Sequence, residues 1–460
     1  MTNHLKDKKV LVMGLGLVGG GLGVIKWLSH QGAKITVTDL RDRKTLLPTL
    51  KKLAGLKIKC ILGQHRASDF RQADLIIKNP AVPIESPYLK IARQAHVPVT
   101  SDIELFGQRF NGRTIALTGT KGKSTTVHLI KHILETAKQS VELGGNIGAT
   151  PLLSLNKNNV FILELSSFQL ENLKISPDIS IITNIFPDHL NRHKTMAKYV
   201  AIKANIFKGQ CRNQFTVLNY DNLICRRLGN EVPASLVFFS AKTNLRPKNC
   251  QIFFSLKNNS IIVDDKKSIR RLISLSKTKL PGQHNLENIL AAVATAFLTS
   301  IKPTIIQRAV NSFSGVANRL ELIRTVNGVK YYNDTTATNP GATVAALAAL
   351  GKNKNIILIA GGADKNLSFD ELAPKIKKTC QRIIMLSGTA TPKFIQTLKK
   401  NKYPVKDIIE FDNFNQAIKA AKEIAKPGQI VLLSPACASF GMFKNEFDRG
   451  KQFIKLVKNL

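Results

Sequence analysis

The chain has 460 residues, a formal net charge of +38 and an apolar fraction of 43%. Because single hydrophobic cores stop growing at roughly 250–300 residues, two or three domains are expected. The sequence contains no apolar run of about 18 residues and its N-terminus lacks the apolar core of a signal peptide, so we expect a cytoplasmic protein without a membrane span.

The strong basic excess raises the question of a nucleic-acid partner. The lysines are spread along the whole chain, and aromatic residues make up only 6% of it, so neither a basic stripe nor a stacking platform is evident. We therefore expect no nucleic-acid partner, and a polyanion-binding module remains only as an alternative. The six cysteines include no C-x-x-C pair, which argues against iron–sulfur clusters, structural zinc and a disulfide framework.

The first predicted strand, at 10–13, is followed by the turn Gly14-Leu15-Gly16-Leu17-Val18-Gly19, and the next strand ends at Asp39. This is the G-x-G-x-x-G fingerprint of dinucleotide binding, in which the glycines let a pyrophosphate approach the N-terminus of a helix. The turn by itself leaves three possibilities open. It binds the NAD of a dehydrogenase, the diphosphate of a UDP-sugar, or no nucleotide.

The second glycine cluster is Gly119-Thr120-Lys121-Gly122-Lys123-Ser124-Thr125, between a predicted strand at 114–118 and a predicted helix. Backbone N–H groups in such a loop bind phosphate oxygens, while Lys123 reaches the β and γ phosphates and Ser124 ligates Mg²⁺. Leu117 stands where the strict motif has its first glycine, so this is a shortened phosphate loop. A second nucleotide site in one chain disfavours an ordinary dehydrogenase.

Three polar residues downstream are candidates for the same site. Glu164 ends an apolar strand and His189 lies in a loop after another, so both are expected at the carboxyl edge of a parallel sheet, where ligands bind. A carboxylate there suits Mg²⁺. Lys203 has apolar neighbours in a predicted helix, and a buried lysine loses its charge readily, which would let its amine react with CO₂ to give a carbamate.

Alternation of short β-branched runs with helical segments continues to the C-terminus, with further strands predicted at 356–359, 383–386 and 430–433. This pattern predicts an α/β fold with parallel sheets and crossover helices. Changes in the pattern near Ser101 and near Gly315 divide the chain into predicted domains at 1–101, 102–315 and 316–460. A lysine-rich stretch at 244–279 is predicted to form hairpin-like decoration on the middle domain.

Together these motifs resemble those of the Mur ligases of peptidoglycan synthesis, and the resemblance covers essentially the whole chain. Its carriers are collinear: Gly14 to Leu17, Ser101 to Phe106, Gly119 to Thr125, Gly144 to Gly148, Glu164 to Leu170, Asp188-His189, Gly282 to Asn285, Asn318-Arg319, Asn333-Asp334 and Ser434 to Ser439. The resemblance implies a three-domain α/β architecture, with Rossmann-like N- and C-terminal domains around a central P-loop ATPase-like domain.

The resemblance also assigns roles to individual residues. The residues implied for the UDP portion of the substrate, with its muramoyl group, are Gly16, Leu17, Val18, Asp39, Leu40, Arg41 and Asn146. Those implied for ATP are Gly119, Thr120, Lys121, Gly122, Lys123, Ser124, Thr125, Asn285, Asn288, Arg319 and Asp334. Two Mg²⁺ ions are implied at Ser124, Glu164, His189 and a carbamylated Lys203, and the amino acid at Thr338, Lys365, Ser439 and Phe440. Lys123, His189 and Lys203 are the implied catalytic residues.

The implied reaction is the ATP-dependent addition of D-glutamate to UDP-N-acetylmuramoyl-L-alanine through an acyl phosphate, catalysed by a monomer. The alternatives are a sister Mur ligase with another amino acid and a folylpolyglutamate synthase-like ligase, although the turn at Gly14 argues against the latter. Two departures from the family pattern fall near the amino-acid pocket. Thr336 stands where members commonly carry lysine, and the aromatic residue near the C-terminus is shifted to Phe447.

Overall fold

The computed structural model describes residues 5–16, 20–147, 150–155, 160–171, 173–280 and 282–460. Within these residues the chain forms three sheets of five, nine and six strands, most of them parallel. The predicted α/β class is therefore confirmed. None of the described helices is long and apolar enough to cross a membrane.

The N-terminal sheet has the strand order β3-β2-β1-β4-β5, with all neighbours parallel. Its strands are β1 (Lys9–Met13), β2 (Lys34–Asp39), β3 (Ile58–Leu62), β4 (Leu75–Lys78) and β5 (Val99–Thr100). The helices of this segment are α1 (Gly20–His30), α2 (Arg43–Leu50), α3 (Ala67–Gln72), α4 (Pro87–Gln94) and α5 (Asp102–Gly107).

Alternation along β1 shows why helices cover both faces of this sheet. Val10 and Val12 belong to one buried cluster with Trp27 of α1, whereas Leu11 and Met13 belong to a second cluster with helices α3 and α4. Successive side chains of a strand point to opposite faces, so a strand that is apolar at every position must be covered on both sides.

The central sheet has the order β14-β13-β12-β11-β10-β9-β6-β8-β7. Its strands are β6 (Thr114–Thr118), β7 (Val141–Gly145), β8 (Val160–Glu164), β9 (Ile179–Ile182), β10 (Phe215–Asn219), β11 (Ser235–Ser240), β12 (Ile252–Lys257), β13 (Ser260–Asp264) and β14 (Ile269–Ser274). The helices are α6 (Lys123–Thr136), α7 (Ser167–Leu170), α8 (Leu190–His193), α9 (Met196–Lys208), α10 (Leu223–Leu228), α11 (Gln283–Leu298) and α12 (Pro303–Ser312).

The lysine-rich stretch at 244–279 forms more than decoration on this sheet. Strand β12 pairs in parallel with β11, and β13 and β14 follow as antiparallel neighbours, so the hairpin predicted there extends the central sheet itself.

The C-terminal sheet has the order β15-β16-β20-β17-β18-β19, in which the β15–β16 pair is antiparallel. Its strands are β15 (Glu321–Val326), β16 (Val329–Asn333), β17 (Ile356–Gly361), β18 (Cys380–Leu386), β19 (Ile408–Phe411) and β20 (Ile430–Leu433). The helices are α13 (Pro340–Leu350), α14 (Leu372–Thr379), α15 (Thr391–Lys400), α16 (Phe414–Ile424) and α17 (Glu446–Lys458).

Each sheet lies within one of the three predicted domains, although the boundaries at 101 and 315 stay predictions. By internal contacts the chain divides into two compact units, one of Met1–Lys277 with Leu286–Asn311 and the other of Thr278–Asn285 with Ser312–Leu460. The second unit thus takes two short segments, 278–285 and 312–315, from the range predicted for the middle domain.

Candidate active site

Three parallel strands of the central sheet bring their carboxyl ends together. In the register, Leu117 of β6 lies beside Glu164 of β8, and Thr118 lies beside Ile182 of β9. The phosphate loop after β6, the Glu164 carboxylate and the segment that leads to His189 therefore start from the same edge of the sheet. Ligands bind at this edge in open parallel sheets.

The loop from Gly119 to Thr125 turns sharply at Gly122, directly before helix α6. Gly122 has φ +83°, and a Cβ atom there would collide with the side chain of Asn288. Helix α6 begins directly afterwards, and the first N–H groups of a helix have no partner within it. A loop that ends at a helix N-terminus in this way is a candidate anion site.

The segment 183–186 holds the loop in place. Thr120 N–H donates to the carbonyl oxygen of Asn184 at 2.9 Å, and Lys121 N–H donates to its side-chain oxygen at 2.8 Å. In return, the Thr183 hydroxyl donates to the Lys121 carbonyl at 2.7 Å. These bonds use the N–H groups of Thr120 and Lys121 within the protein and fix the course of the loop.

Two lysines reach the loop from different helices. Lys123 Nζ donates to the carbonyl oxygens of Gly119 and Thr120, at 2.9 and 3.2 Å. Lys203 of α9, only 1% exposed, donates to the same Gly119 carbonyl at 3.0 Å and to the Thr118 hydroxyl at 3.2 Å. Burial, with a smaller effect of the charge on Lys123, lowers the pKa of Lys203 to about 7. The predicted burial of Lys203 is confirmed.

Glu164 is 1% exposed, and its two carboxylate oxygens have different surroundings. Oε1 accepts a hydrogen bond from the side chain of Asn146 at 3.0 Å, whereas Oε2 is buried with no hydrogen-bond partner. A buried carboxylate oxygen without a donor is costly unless a cation satisfies it. Glu164 at the sheet edge therefore fits a metal ligand, and Asn146 orients it.

His189 is the exposed member of the group. It has the left-handed φ of 51° at the start of α8, and its side chain is 48% exposed. Its ring lies 5.1 Å from that of Phe168, in the helix that follows Glu164. No group of three His, Cys, Asp or Glu side chains in the described part of the chain is arranged to hold a metal. A metal ion here would thus also need other oxygen ligands, such as the buried Ser124 hydroxyl.

In the N-terminal sheet, Asp39 stabilises the turn itself. Its carboxylate accepts from the N–H groups of Leu15 and Gly16, at 2.9 and 3.2 Å, and from the Arg41 guanidinium at 3.1 Å for each oxygen. Burial acts to raise the pKa of Asp39, but the bonds from Arg41 and Gly16 outweigh it, so the pKa is lowered. In an NAD site the acidic residue accepts from the ribose hydroxyls. Asp39 has both oxygens engaged within the protein, which disfavours NAD.

The neighbours of this turn are mixed in exposure. Leu40 is 66% exposed and the Arg41 side chain 44%, so both are accessible to a ligand. Leu17 and Val18 lie outside the described residues. Asn79, which was not predicted from the sequence, follows β4 and donates to the Gly14 carbonyl at 3.3 Å. Its position after the strand next to β1 is the signal that identifies it.

In the second unit, Asp334 is buried and accepts hydrogen bonds from the Ser434 hydroxyl at 2.8 Å and from Leu320 N–H at 3.2 Å. Burial raises the pKa of Asp334 to about 7. Arg319 is exposed, whereas Asn285 is buried. In the first unit, Asn288 is buried and accepts from the Thr126 hydroxyl of α6 at 3.3 Å, which places it beside the phosphate loop.

Three of the residues predicted for the amino acid lie at the ends of strands β17 and β20. Lys365 Nζ donates to the Thr338 hydroxyl at 3.0 Å. Ala363 and Ala438 form a two-way backbone bridge at 2.9 and 3.1 Å, which brings the segment of Lys365 beside that of Ser439. Ser439 is buried, whereas Phe440 is 65% exposed.

The sequence analysis also missed Arg449, which is fully buried. Its guanidinium donates to the hydroxyl and the carbonyl oxygen of Thr335, at 3.0 and 2.9 Å, and burial lowers its pKa to about 10. Thr336, which follows Thr335, donates its hydroxyl to the Asn318 carbonyl at 2.9 Å. Arg449 therefore fixes the segment that follows Asp334.

Three stretches of the chain match models of known domain families. Residues 8–101 match the N-terminal domain of MurD-like Mur ligases, residues 117–296 the Mur ligase middle domain, and residues 318–437 the glutamate ligase domain of Mur ligases.

Similar proteins extend over the full length. The UDP-N-acetylmuramoylalanine--D-glutamate ligase of Roseiflexus sp. (strain RS-1) is 42% identical over 465 residues, covering 99% of each chain. The protein of the same name from Thermoanaerobacter sp. (strain X514) is 38% identical over 462 residues, again covering 99% of each. The crystal structure of UDP-N-acetylmuramate-alanine ligase from Thermotoga maritima aligns with a TM-score of 0.59 at 19% identity, covering 98% of this chain and 100% of that one. At that identity the likeness supports the fold alone.

Proposed function

The chain belongs to the Mur ligase family, and we propose that it joins D-glutamate to UDP-N-acetylmuramoyl-L-alanine, with conversion of ATP to ADP and phosphate. The single observation that carries the ATP-dependent step is the unpartnered Oε2 of Glu164, buried at the sheet edge from which the phosphate loop also starts. The full-length relatives that bear the name of this ligase support the choice of substrates.

The phosphates of ATP would lie on the loop from Gly119 to Thr125. The N–H groups at the start of α6 would donate to them, and Lys123 would leave its present carbonyl acceptors to reach the phosphoryl oxygens. In the same unit, Asn288 already lies against the loop through Thr126. In the second unit, Asn285, Arg319 and Asp334 would bind adenine, phosphate and ribose.

Two Mg²⁺ ions would be held by Ser124, Glu164, His189 and a carbamate formed on Lys203. Because the pKa of Lys203 is lowered to about 7, a large share of its amine is neutral at physiological pH. A neutral amine can add to CO₂ and form a carbamate. Hard oxygen ligands of this kind suit Mg²⁺. Bound there, the ions would neutralise charge on the transferring phosphoryl group.

The UDP portion would bind at the turn Gly14–Gly16, with Arg41 and Leu40 on its accessible side and Leu17 and Val18 next in the chain. The bonds that Asp39 accepts from the N–H groups of Leu15 and Gly16 fix the turn before any ligand binds, which lowers the entropy cost of binding. Asn146, which also orients Glu164, would contact the muramoyl portion.

The reaction follows from these roles. An oxygen of the L-alanyl carboxylate attacks the γ phosphorus of ATP, ADP leaves, and an acyl phosphate forms. Lys123 stabilises the negative charge that develops during this transfer. The amine nitrogen of D-glutamate then attacks the acyl carbon, loses its proton and expels phosphate, which leaves the new amide bond.

The residues implied for D-glutamate are Thr338, Lys365, Ser439 and Phe440. The ammonium of Lys365 would pair with one carboxylate, and the hydroxyls of Thr338 and Ser439 would donate to the other. Thr336 adds no charge to this pocket, so a sister ligase with another amino acid is the second candidate function.

A phosphate-release assay with UDP-N-acetylmuramoyl-L-alanine, ATP, Mg²⁺ and a panel of amino acids tests the proposal. We expect phosphate release that requires both the UDP substrate and D-glutamate, and a product whose mass has increased by one glutamyl residue. Release with another amino acid in preference to D-glutamate would select the sister ligase, and ATP hydrolysis independent of both substrates would exclude a ligase.

A further inference from the structure

The segment that carries His189 is short and conformationally unfavourable. Helix α8 has four residues, and it is bracketed by His189 and Lys194, with φ of 51° and 69°. Non-glycine residues in the left-handed region persist only where the surroundings enforce them, and a single helical turn is not stable alone. Something outside α8 must therefore hold it.

His193, at the end of α8, makes the most buried of the contacts that hold this helix. It is 0% exposed, and its Nε2 lies 2.9 Å from the hydroxyl oxygen of Ser167, which is 3% exposed. Ser167 begins α7, three residues after Glu164. The His193–Ser167 bond thus joins the segment of one proposed metal ligand to the segment of the other.

Aromatic packing extends this connection. The Phe168 ring contacts the rings of both His189 and His193, with centroid distances of 5.1 and 5.5 Å. His193 also packs on Tyr199 at 5.3 Å, and the Tyr199 hydroxyl lies 3.3 Å from that of Thr120 in the phosphate loop. His193 therefore contacts the elements that surround the proposed metal site, while taking no part in the reaction itself.

An ion pair next to Phe168 supports the same arrangement. Arg192 bonds Glu171 at 3.0 Å, and both side chains are largely buried, at 18% and 6% exposed. The Arg192 guanidinium also lies 5.9 Å from the Phe168 ring. Helices α7 and α8 are thus joined by a hydrogen bond, an ion pair and a stacked ring.

We propose that His193 is a positioning residue: its buried bond to Ser167 holds α8 so that the His189 ring stays against Phe168, in the helix that directly follows Glu164. The proposal rests on the proposed function in so far as His189 and Glu164 bind Mg²⁺. Groups that orient metal ligands commonly affect metal affinity by about 10- to 100-fold.

The test uses four single variants of the full chain and the double variant Ser167→Ala/His193→Phe. Ser167→Ala removes the hydroxyl with little change in volume, and His193→Phe keeps a ring against Phe168 but removes Nε2. His193→Gln retains a polar group near the Nε2 position. His30→Phe, at an exposed site on α1, is the matched control.

The first measurement is hydrogen exchange without any ligand or metal. The amides of Arg192, His193 and Lys194 donate within the α8 turn at 2.8–3.0 Å. We expect them to exchange about three- to ten-fold faster in Ser167→Ala and His193→Phe than in the control, as loss of one buried hydrogen bond predicts. In the double variant these amides should exchange no faster than in His193→Phe, because both changes remove the same bond.

The second measurement is the affinity for Mn²⁺ in the presence of ADP, from the electron paramagnetic resonance signal of free Mn²⁺. We expect it to fall by at least three-fold in Ser167→Ala and His193→Phe, less in His193→Gln, and not in His30→Phe. The affinity for ADP without metal should stay unchanged, which a general loss of structure would not allow.

The outcomes separate the two proposals. Unchanged exchange at Arg192, His193 and Lys194 in both Ser167→Ala and His193→Phe would overturn the role of the bond. Faster exchange with unchanged Mn²⁺ affinity would overturn the positioning role but leave the ligase proposal standing. If the wild-type enzyme forms no amide product, the proposed function fails, while the exchange and Mn²⁺ results still decide the role of His193.

Discussion

Lys123 and Lys203 donate hydrogen bonds to one acceptor, the carbonyl oxygen of Gly119, at 2.9 and 3.0 Å. Two ammonium groups on one oxygen repel each other, and the buried Lys203 therefore loses its proton more readily. Burial first and the charge on Lys123 second lower the pKa of Lys203 to about 7. The pair thus divides its roles. Lys123 provides positive charge at the phosphate loop, and Lys203 provides an amine that is partly neutral at physiological pH.

Lys123→Ala should abolish most ligase activity without unfolding the protein. Lys123 supplies charge where phosphoryl charge develops, and loss of such a group typically costs about 10²-fold or more in kcat. The measurement is phosphate release together with circular dichroism. Lys131→Ala, two turns further along the same helix at a half-buried position where the side chain pairs with Glu135, is the control and should retain activity. Near-normal turnover by a folded Lys123→Ala enzyme would contradict the phosphate-loop assignment.

Lys203→Ala should also lose activity, but for a different reason, which small carboxylates can reveal. If Lys203 carries a carbamate, added formate or acetate should restore part of the activity, because a carboxylate can replace the lost oxygen ligand. The wild type should also lose activity in CO₂-free buffer and regain it with bicarbonate. Lys208→Ala, exposed at the end of the same helix, should show neither effect. An active Lys203→Ala enzyme would rule out the carbamate.

The Gly14 turn should bind UDP-sugars and not NAD⁺. Asp39 has both oxygens engaged by Leu15, Gly16 and Arg41, so it is not available to accept from an NAD ribose. Isothermal titration should show heat with UDP-N-acetylmuramoyl-L-alanine and none with NAD⁺. Arg41→Ala should weaken the UDP interaction by about 1.5–3 kcal/mol, the range for hydrogen bonds to charged groups. Heat with NAD⁺ alone would restore the dehydrogenase interpretation.

The elements that carry the site could be predicted from the sequence because they are local. The phosphate loop lies between an apolar strand and a helix, and Glu164 ends an apolar strand, so the register only had to bring β6 and β8 side by side. The α/β class followed in the same way from continuous apolar runs, such as that of β1, which require cover on both faces.

Contacts between distant segments could not be predicted in this way. The bond from Arg449 to Thr335 joins residues 114 positions apart, and nothing in a basic residue of an amphipathic helix indicates full burial. The use of Asp39 to stabilise its own turn was also not predictable, since the fingerprint specifies the spacing but not the direction of the carboxylate. The pairing of β12 with β11 depends likewise on the whole sheet.

Asp334→Asn should change the pH dependence of stability. The pKa of Asp334 is raised to about 7 in the folded state, whereas an unfolded aspartate titrates near 3.9. Below about pH 4 both states hold the proton, and the buried carboxyl costs nothing. Between about pH 4 and 7 only the folded state keeps it, so the wild type loses stability as the pH rises, by roughly 1.4 kcal/mol per unit at most.

The neutral asparagine does not titrate, so the thermal midpoint of Asp334→Asn minus that of the wild type should increase from pH 4 to pH 7 and then level off. Asp412→Asn, at an exposed loop position, should show a flat difference over the same range. A flat difference for Asp334→Asn as well would mean that Asp334 is ionised throughout, against the effect of its burial.

The choice of D-glutamate depends on Lys365 and on two hydroxyl groups. Lys365 donates to Thr338 at 3.0 Å, and the bridge between Ala363 and Ala438 brings Ser439 to the same place, so one ammonium and two hydroxyl donors can meet a substrate with two carboxylates. Lys365→Ala should raise the KM for D-glutamate by about 10-fold or more, because a carboxylate that loses its cation in a partly buried site binds weakly. The KM for ATP should stay within about two-fold of the wild-type value. Lys365→Arg keeps the charge, so its KM for D-glutamate should lie between those of the wild type and Lys365→Ala. Thr336 contributes no charge and donates to the Asn318 carbonyl, so Thr336→Ala should change the KM for D-glutamate much less than Lys365→Ala does.

Steady-state kinetics with D-glutamate, L-glutamate, D-aspartate and L-lysine provide the measurement. A preference for L-lysine or an apolar amino acid would show that this pocket is not built for a dicarboxylate, and the phosphate-loop assignment would still stand.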